Sequence, residues 1–219
     1  MPAATAGGAW QNRGVPDAPE KPPEDLQSRL MAARWIALVL GFALIVTAGL
    51  VARHRLAPKH FAVVDPGVLY RSATLPPAQL LEVVEDQGIR TVVNLRSLEE
   101  NAEPWYAAQR GALAAAGVDM VDLPMPYSTP PEPDIEARWL ALLRDPSAQP
   151  ILVHCQHGVL RTGIMVSAYE IVHRDAAAEG LFEHGPQFGH DLSADTRERI
   201  QLYLDDLARR HGAPSGLES

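Results

Sequence analysis

The stretch ILVHCQHGVLRTG, residues 151–163, joins an apolar run to a glycine-punctuated turn and holds the only cysteine in the 219-residue chain. Its first part, ILVHC, reads as a short buried strand, because apolar and β-branched residues follow one another without a breaker. From Thr162, TGIMVSAYEIVHR carries its apolar residues at helical spacing, which predicts a helix over 162–174. A loop between a strand and a helix start gathers backbone N–H groups around one point, and the helix terminus adds partial positive charge. An oxyanion fits that cradle, and the same field favours a cysteine in its thiolate form. Arg161, six residues after Cys155, can set two parallel N–H groups against phosphate oxygens, a fork that lysine lacks. Gly158 lets the backbone turn inward, and Gly163 lets the helix begin close to the loop.

These residue types point to phosphoryl transfer through sulfur. Cys155 is placed to attack phosphorus and form a thiophosphate, while Arg161 binds the ground state and the more dispersed charge of the transition state. The Thr162 hydroxyl is a donor to the sulfur as it leaves in the second step. Gln156, His157, Gly158, Val159, Leu160 and Gly163 make up the rest of the cradle. His154 is expected to point the other way along the strand and to steady the loop without transferring a proton. The competing reading of a lone cysteine, a buried small hydrophobe, leaves Arg161 and Thr162 without a purpose.

Outward from this centre the chain alternates short β-type runs with helical ones. FAVV and VLY read as strands around the Asp65-Pro66-Gly67 turn, and 77–87 as a helix. RTVVNL (90–95) and VDMVDL (118–123) are further strands, separated by an alanine-rich helix over 101–116 that Gly117 would cap. The proline-laden PMPYSTPPEP follows, and Asp134 stands where an N-cap would stand for a helix over 135–144. The terminal segment 193–210 puts Ile200, Tyr203, Leu204 and Leu207 on one face, which is ordinary packing. Strands alternating with helices predict an α/β domain, 61–219, with a central, mainly parallel sheet flanked by helices.

The first 60 residues differ in kind. Residues 1–34 are rich in Ala, Gly and Pro and read largely as a disordered tail. WIALVLGFALIVTAGLVA, residues 35–52, has no charge over eighteen positions, the length of a single-pass transmembrane helix. Residues 53–60 serve as linker. A cleaved signal peptide would need a charged leader more than thirty residues long, and no small-x-small site follows the run. An uncleaved membrane anchor is therefore expected. Arg53, Arg55 and Lys59 on one flank against Arg29 and Arg34 on the other leave its orientation open.

Charge excludes one class of partner. Residues 60–219 hold 12 Arg, no Lys and 23 Asp plus Glu, a net charge of −11, whereas the first 59 residues, with 7 Lys plus Arg against 4 acids, carry +3. An acidic, lysine-free body is a poor match for nucleic acid. One cysteine rules out an internal disulfide and multi-cysteine metal sites, and no paired histidines fall at helical spacing, so neither metal nor cofactor is expected.

The segment HCQHGVLRTG (154–163) matches the HC-x5-R-[ST] signature of the cysteine-dependent protein phosphatases. VLYRSATLP (68–76), GIRTVVNLRS (88–97) and PILVHCQHGVLRTG (150–163), in that order and spacing, resemble the compact bacterial dual-specificity and tyrosine-phosphatase-like branch. AAAEGLFEHG (176–185) resembles the helix after the loop helix in that family. The resemblance covers about residues 60–190. It implies a phosphocysteine intermediate on Cys155, phosphate binding by Arg161, a structural Arg71, and Arg96 supporting the site from a strand end. Leu160 replaces the aspartate common in relatives before the loop arginine, and Tyr169-Glu170 stands where many have Tyr-Arg. The family also implies a general acid on a loop roughly thirty residues before the cysteine. Asp134 is the first choice, with Asp122 and Glu132 as alternatives.

The expected activity is hydrolysis of a phosphate monoester. A loop with no Lys or Arg between Cys155 and Arg161 suits a phosphorylated protein or small monoester better than a polyanion. A membrane tether argues for phosphoinositide or lipid phosphate, and the absence of a standard acid keeps a non-turnover phosphate-binding module open. Sulfur transfer or redox sensing ranks last, because it gives Arg161 no role.

Overall fold

The structure is a computed structural model and describes residues 24–56, 58–178 and 192–213. It divides into two units, Met1–Leu56 and Ala57–Ser219. In the first, a helix α1 runs Glu24–Leu56, about 50 Å at 1.5 Å per residue. Within it, Asp25–Gly49 is long and apolar enough to cross a membrane. The helix begins eleven residues before the apolar run and continues through four residues of the expected linker, which corrects the reading of 24–34 as disordered. Leu26, Gln27, Arg29, Leu30, Met31, Ala32 and Ala33 are good helix formers that extend the turn set by the apolar core of the helix.

The second unit alternates as expected. Its elements are β1 (Ala62–Asp65), β2 (Leu69–Ala73), α2 (Pro77–Gln87), β3 (Thr91–Asn94), a 3-10 turn (Glu100–Ala102), α3 (Pro104–Ala115), β4 (Asp119–Asp122), α4 (Pro133–Leu143), β5 (Ile151–Cys155), α5 (Leu160–Arg174) and α6 (Ala194–His211). The sheet order is β1-β2-β5-β3-β4. Only the β1/β2 pair is antiparallel; β2/β5, β5/β3 and β3/β4 are parallel.

β5 sits at the centre because all five of its residues are buried, and a strand covered on both faces must be apolar on both. One face, carrying Leu69, Val93, Ile151 and Val153, packs on Trp139 of α4, Ile164 of α5 and Leu204 of α6. The other, carrying Tyr70, Val92 and Leu152, packs on Leu80 and Val83 of α2 and Leu113 of α3. Each such side chain contributes about 1.5–3 kcal/mol of burial, so the central strand and its C-terminal end are held from both sides.

Two boundaries differ from expectation. α5 begins at Leu160, not Thr162, which places Arg161 inside the first helical turn. α4 begins at Pro133 with Glu132 as its N-cap residue, so Asp134 lies in the first turn and does not cap it. Proline at the first helical position starts the helix one step earlier, since its fixed φ is already helical. Of the expected helix over 176–185, residues 179–185 lie outside the described residues.

Candidate active site

Cys155 ends the central parallel strand, at the C-terminal sheet edge where α/β proteins bind ligands. Residues Gln156–Val159 then turn directly into α5. The carbonyls of Cys155, Gln156, His157 and Gly158 are engaged from other segments, and that of Val159 accepts the first bond of α5. Thr74 Oγ1 donates to Cys155 O (3.1 Å) and Thr74 N to Gln156 O (3.4 Å). His60 Nδ1 donates to His157 O (2.5 Å), Arg71 Nη2 to Gly158 O (2.8 Å), and Gly163 N to Val159 O (2.7 Å). In a planar trans peptide the C=O of one residue and the N–H of the next point in opposite directions. Tying these four carbonyls outward therefore aims the N–H groups of Gln156, His157, Gly158 and Val159 inward. No side chain caps α5, so its first-turn N–H groups are also available to an anion.

Gly158 is the position the turn requires. Its φ is +69°, and a Cβ there would lie 2.4 Å from the Ser72 carbonyl oxygen, so the loop is seated against the backbone of β2. Gly163 lies buried in the first turn and Gln156 is exposed at the loop surface.

Arg161 is 2 % exposed. It donates from Nη1 to Glu100 Oε2 (2.5 Å) and from Nη2 to Glu100 Oε1 (3.2 Å). Glu100 also accepts from Arg96 Nε (2.9 Å) and from the Ser97 N–H (2.8 Å). Partial burial pushes the Glu100 carboxyl up, but the bonds from Arg161 and Ser97, the Arg161 charge and the Arg96 bond outweigh it and hold it at about 2. The stabilisation from this pair is complete above the carboxylate's usual range and is lost progressively as pH falls from 4.5 through about 2. Glu100 had no signal in the sequence beyond its place after the NLRS segment. Sixty-one residues separate it from its partner.

Arg96 does not reach the mouth of the site. It is buried against Glu100, Glu103 Oε2 (3.6 Å) and the face of Trp105, with Cζ 4.0 Å from the ring centroid. It holds Glu100, and Glu100 holds Arg161. Trp105 is thus part of the scaffold of the site, while Trp139 is fully buried in the core.

Register explains where the polar strand residues go. Ser72 and Asn94 both pair with His154, and Asn94 pairs with Asp122, so the four share one sheet face, opposite Cys155. Asp122 accepts from Asn94 Nδ2 (2.9 Å), Tyr106 OH (2.7 Å) and Arg110 Nη1 (3.3 Å). It is an anchor for α3 on the far face of the sheet. Asp134 and Glu132 are exposed at the far end of the loop that follows β4.

His154 is buried on that same far face, 3.5 Å from Thr74 Oγ1 through Nδ1. Burial, followed by the charge of Arg96, pulls it from 6.5 down to about 4. The unfolded chain therefore binds a proton that the folded one refuses between those values. Stability is expected to fall by about 3 kcal/mol as pH drops from 6.5 through 4. Urea midpoints across that range will show this, with a flatter profile in His154→Gln.

The space above the Cys155 sulfur is lined by Tyr127, Cys155, His157, Val159, Leu160 and Arg161 and measures about 10 Å³, room for about one water. Tyr127 is the outer wall, 55 % exposed, with its ring centroid 5.9 Å from Arg161 Cζ. The Thr162 hydroxyl is fully buried and has no hydrogen-bond partner among the described residues.

A cysteine at the end of a central parallel strand, with an arginine six residues on in the first turn of the next helix, defines the class of cysteine-dependent phosphatases. A family model described as "DSP-PTPase phosphatase fused to NAD+ Kinase" matches residues 69–201, more than half of the chain, and the chain belongs to that family. It is 30 % identical over 178 residues to the dual specificity protein phosphatase TpbA of Pseudomonas aeruginosa, covering 74 % of this chain and 75 % of that one. A stretch of 84 residues is 29 % identical to a probable chloroplastic NAD kinase 2 of Oryza sativa, covering 38 % of this chain and 9 % of that protein. The fold is similar to the catalytic core of the PP-IP phosphatase SIW14 of S. cerevisiae, with TM-score 0.56 and 21 % identity, over 70 % of this chain and 90 % of the other.

Proposed function

We propose that this protein is a membrane-anchored phosphatase that hydrolyses phosphate monoesters, with phosphorylated protein, above all phosphotyrosine, as substrate. The observation that carries the reading is the lining of the Cys155 pocket: Arg161 is its only arginine or lysine, and Tyr127, Val159 and Leu160 supply an aromatic and apolar wall. One fork suits one phosphate, and an apolar rim suits an aryl leaving group. The apolar stretch of α1 supports the anchor.

In the first step the Cys155 thiolate attacks phosphorus; the S–P bond forms, the ester P–O bond breaks, and the leaving oxygen takes a proton. Asp134, in the first turn of α4 at the end of the loop 124–132, is the donor in this reading. Water then attacks phosphorus, giving its proton back to the Asp134 carboxylate, and the P–S bond breaks toward a thiolate that accepts a hydrogen bond from Thr162. Arg161 keeps N–H groups for phosphate while two of its donors are held by Glu100.

The test uses the full chain in detergent with a chelator present. Hydrolysis of an aryl phosphate, a phosphotyrosine peptide, a phosphoserine peptide and an inositol polyphosphate is followed from pH 5 to 8. The aryl and phosphotyrosine esters are expected to turn over fastest; preference for the inositol polyphosphate would transfer the assignment to the substrate type named for SIW14. Asp134→Asn is expected to flatten the alkaline limb, where a general acid is lost by deprotonation, and to slow the phosphoserine peptide by about 10²-fold, with less effect on an aryl ester whose leaving group needs no proton. Glu100, held at about 2, does not titrate in that window and leaves the assignment clean. Oxyanion binding without turnover of any ester would replace the enzyme with a phosphate-binding module.

A further inference from the structure

The segment just after α1 is built into the phosphate loop. Ala57, Pro58 and Lys59 are all that separate the helix end from His60. Phe61 N donates to Pro58 O (3.2 Å), closing a turn, and Ala73 N donates to Lys59 O (2.9 Å), fastening that turn to the end of β2. The Phe61 ring stacks on Tyr70, with centroids 6.1 Å apart and planes 13° from parallel. Within the turn His60 has φ +52°, one of two non-glycine residues among those described with positive φ. A histidine held in the left-handed region costs conformational energy that its surroundings must offset. The turn directs the imidazole at the loop, where Nδ1 donates to the carbonyl of His157.

We propose that Pro58–Phe61 is a latch on the phosphate loop and that His60 is a positioning residue for oxyanion binding and turnover. By pulling the His157 carbonyl outward, His60 turns the other end of the same peptide, the Gly158 N–H, toward the pocket. The latch rests on the phosphatase reading for its effect on turnover, but its effect on oxyanion binding stands apart from it.

Three substitutions in the full chain separate the side chain from the backbone. His60→Gly relieves the positive φ and removes the donor. His60→Asn puts an N–H at the same δ position and tolerates the left-handed region. His60→Gln carries its N–H one bond further out. Tungstate affinity by calorimetry, kcat and KM for an aryl phosphate, and the thermal midpoint are measured for each. The Gly and Gln variants are expected to lose roughly ten- to a hundredfold in tungstate affinity and kcat/KM, with the Asn variant close to the unsubstituted protein. Unchanged tungstate affinity in His60→Gly overturns the latch, as does an equal loss in all three variants, which would show that ring packing matters and not the hydrogen bond. An unsubstituted chain that binds tungstate but hydrolyses nothing overturns the phosphatase reading alone, and the binding series still decides the latch.

Discussion

Cys155→Ser is expected to lower aryl phosphate turnover by on the order of 10³-fold or more while leaving oxyanion binding nearly intact. The two effects part because different atoms produce them. Binding comes from inward N–H groups and from Arg161, whose position is set by Glu100, Leu95 O and Met125 O. Serine changes none of these. Nucleophilic attack needs an anion at the side chain, and a serine hydroxyl needs a base to become one. His154, the nearest histidine in sequence, lies on the opposite face of the sheet from residue 155. The measurement is steady-state hydrolysis beside tungstate calorimetry on the same preparation. Turnover within tenfold of the unsubstituted protein would show that phosphorus is not attacked by this sulfur. Loss of tungstate binding together with turnover would place the residue in the binding cradle instead.

Gly158→Ala is expected to cost about 3 kcal/mol of stability and at least about 10² in kcat/KM. Two penalties act at once. The residue occupies φ +69°, where an L side chain is strained, and the added methyl would sit 2.4 Å from Ser72 O and 2.5 Å from Ala73 N. These are backbone atoms of β2, which is hydrogen-bonded to β5 along its length, so they cannot swing aside. The loop must lift from the strand instead, and Arg71 then loses its bond to the Gly158 carbonyl. A shift of about 1 Å in a phosphate cradle is enough for such a rate loss. Thermal unfolding and aryl phosphate kinetics will read both effects. A variant with unchanged midpoint and unchanged kcat/KM would mean that the loop does not need this seat.

Much of the site was legible because its parts are contiguous. Cys155, Gly158, Arg161 and Thr162 lie within eight residues, and their spacing states a loop between strand and helix. The alternation around them was legible for a similar reason: β5 must be apolar on both faces, and the helices carry one apolar stripe each. The helix starts were less so. Leu160 and Pro133 each begin their helices two residues before the periodic pattern becomes visible, because the first turn owes its place to the loop and to proline, not to periodicity.

The proton donor shows the opposite case. Offset from the cysteine pointed to Asp122, and a place at the far end of the proline-rich loop pointed to Asp134. Strand register then placed Asp122 on the far face with Asn94 and Tyr106, a fact of pairing that no local pattern carries. Glu100 and His60 were silent for the same reason, since their partners Arg161 and His157 lie 61 and 97 residues away in sequence.

Spacing along the chain supplied the parts: a cysteine, a glycine turn and an arginine within seven residues, preceded in sequence by one long apolar stretch. Tertiary structure alone decided how those parts are held. The carbonyls of the loop are tied by β2 and by the segment after α1, and Arg161 is anchored by a carboxylate brought in from the end of β3. Spacing along a chain can specify a loop, because neighbouring peptides share their geometry. The orientation of each N–H in that loop depends on partners that only folding brings within hydrogen-bond reach.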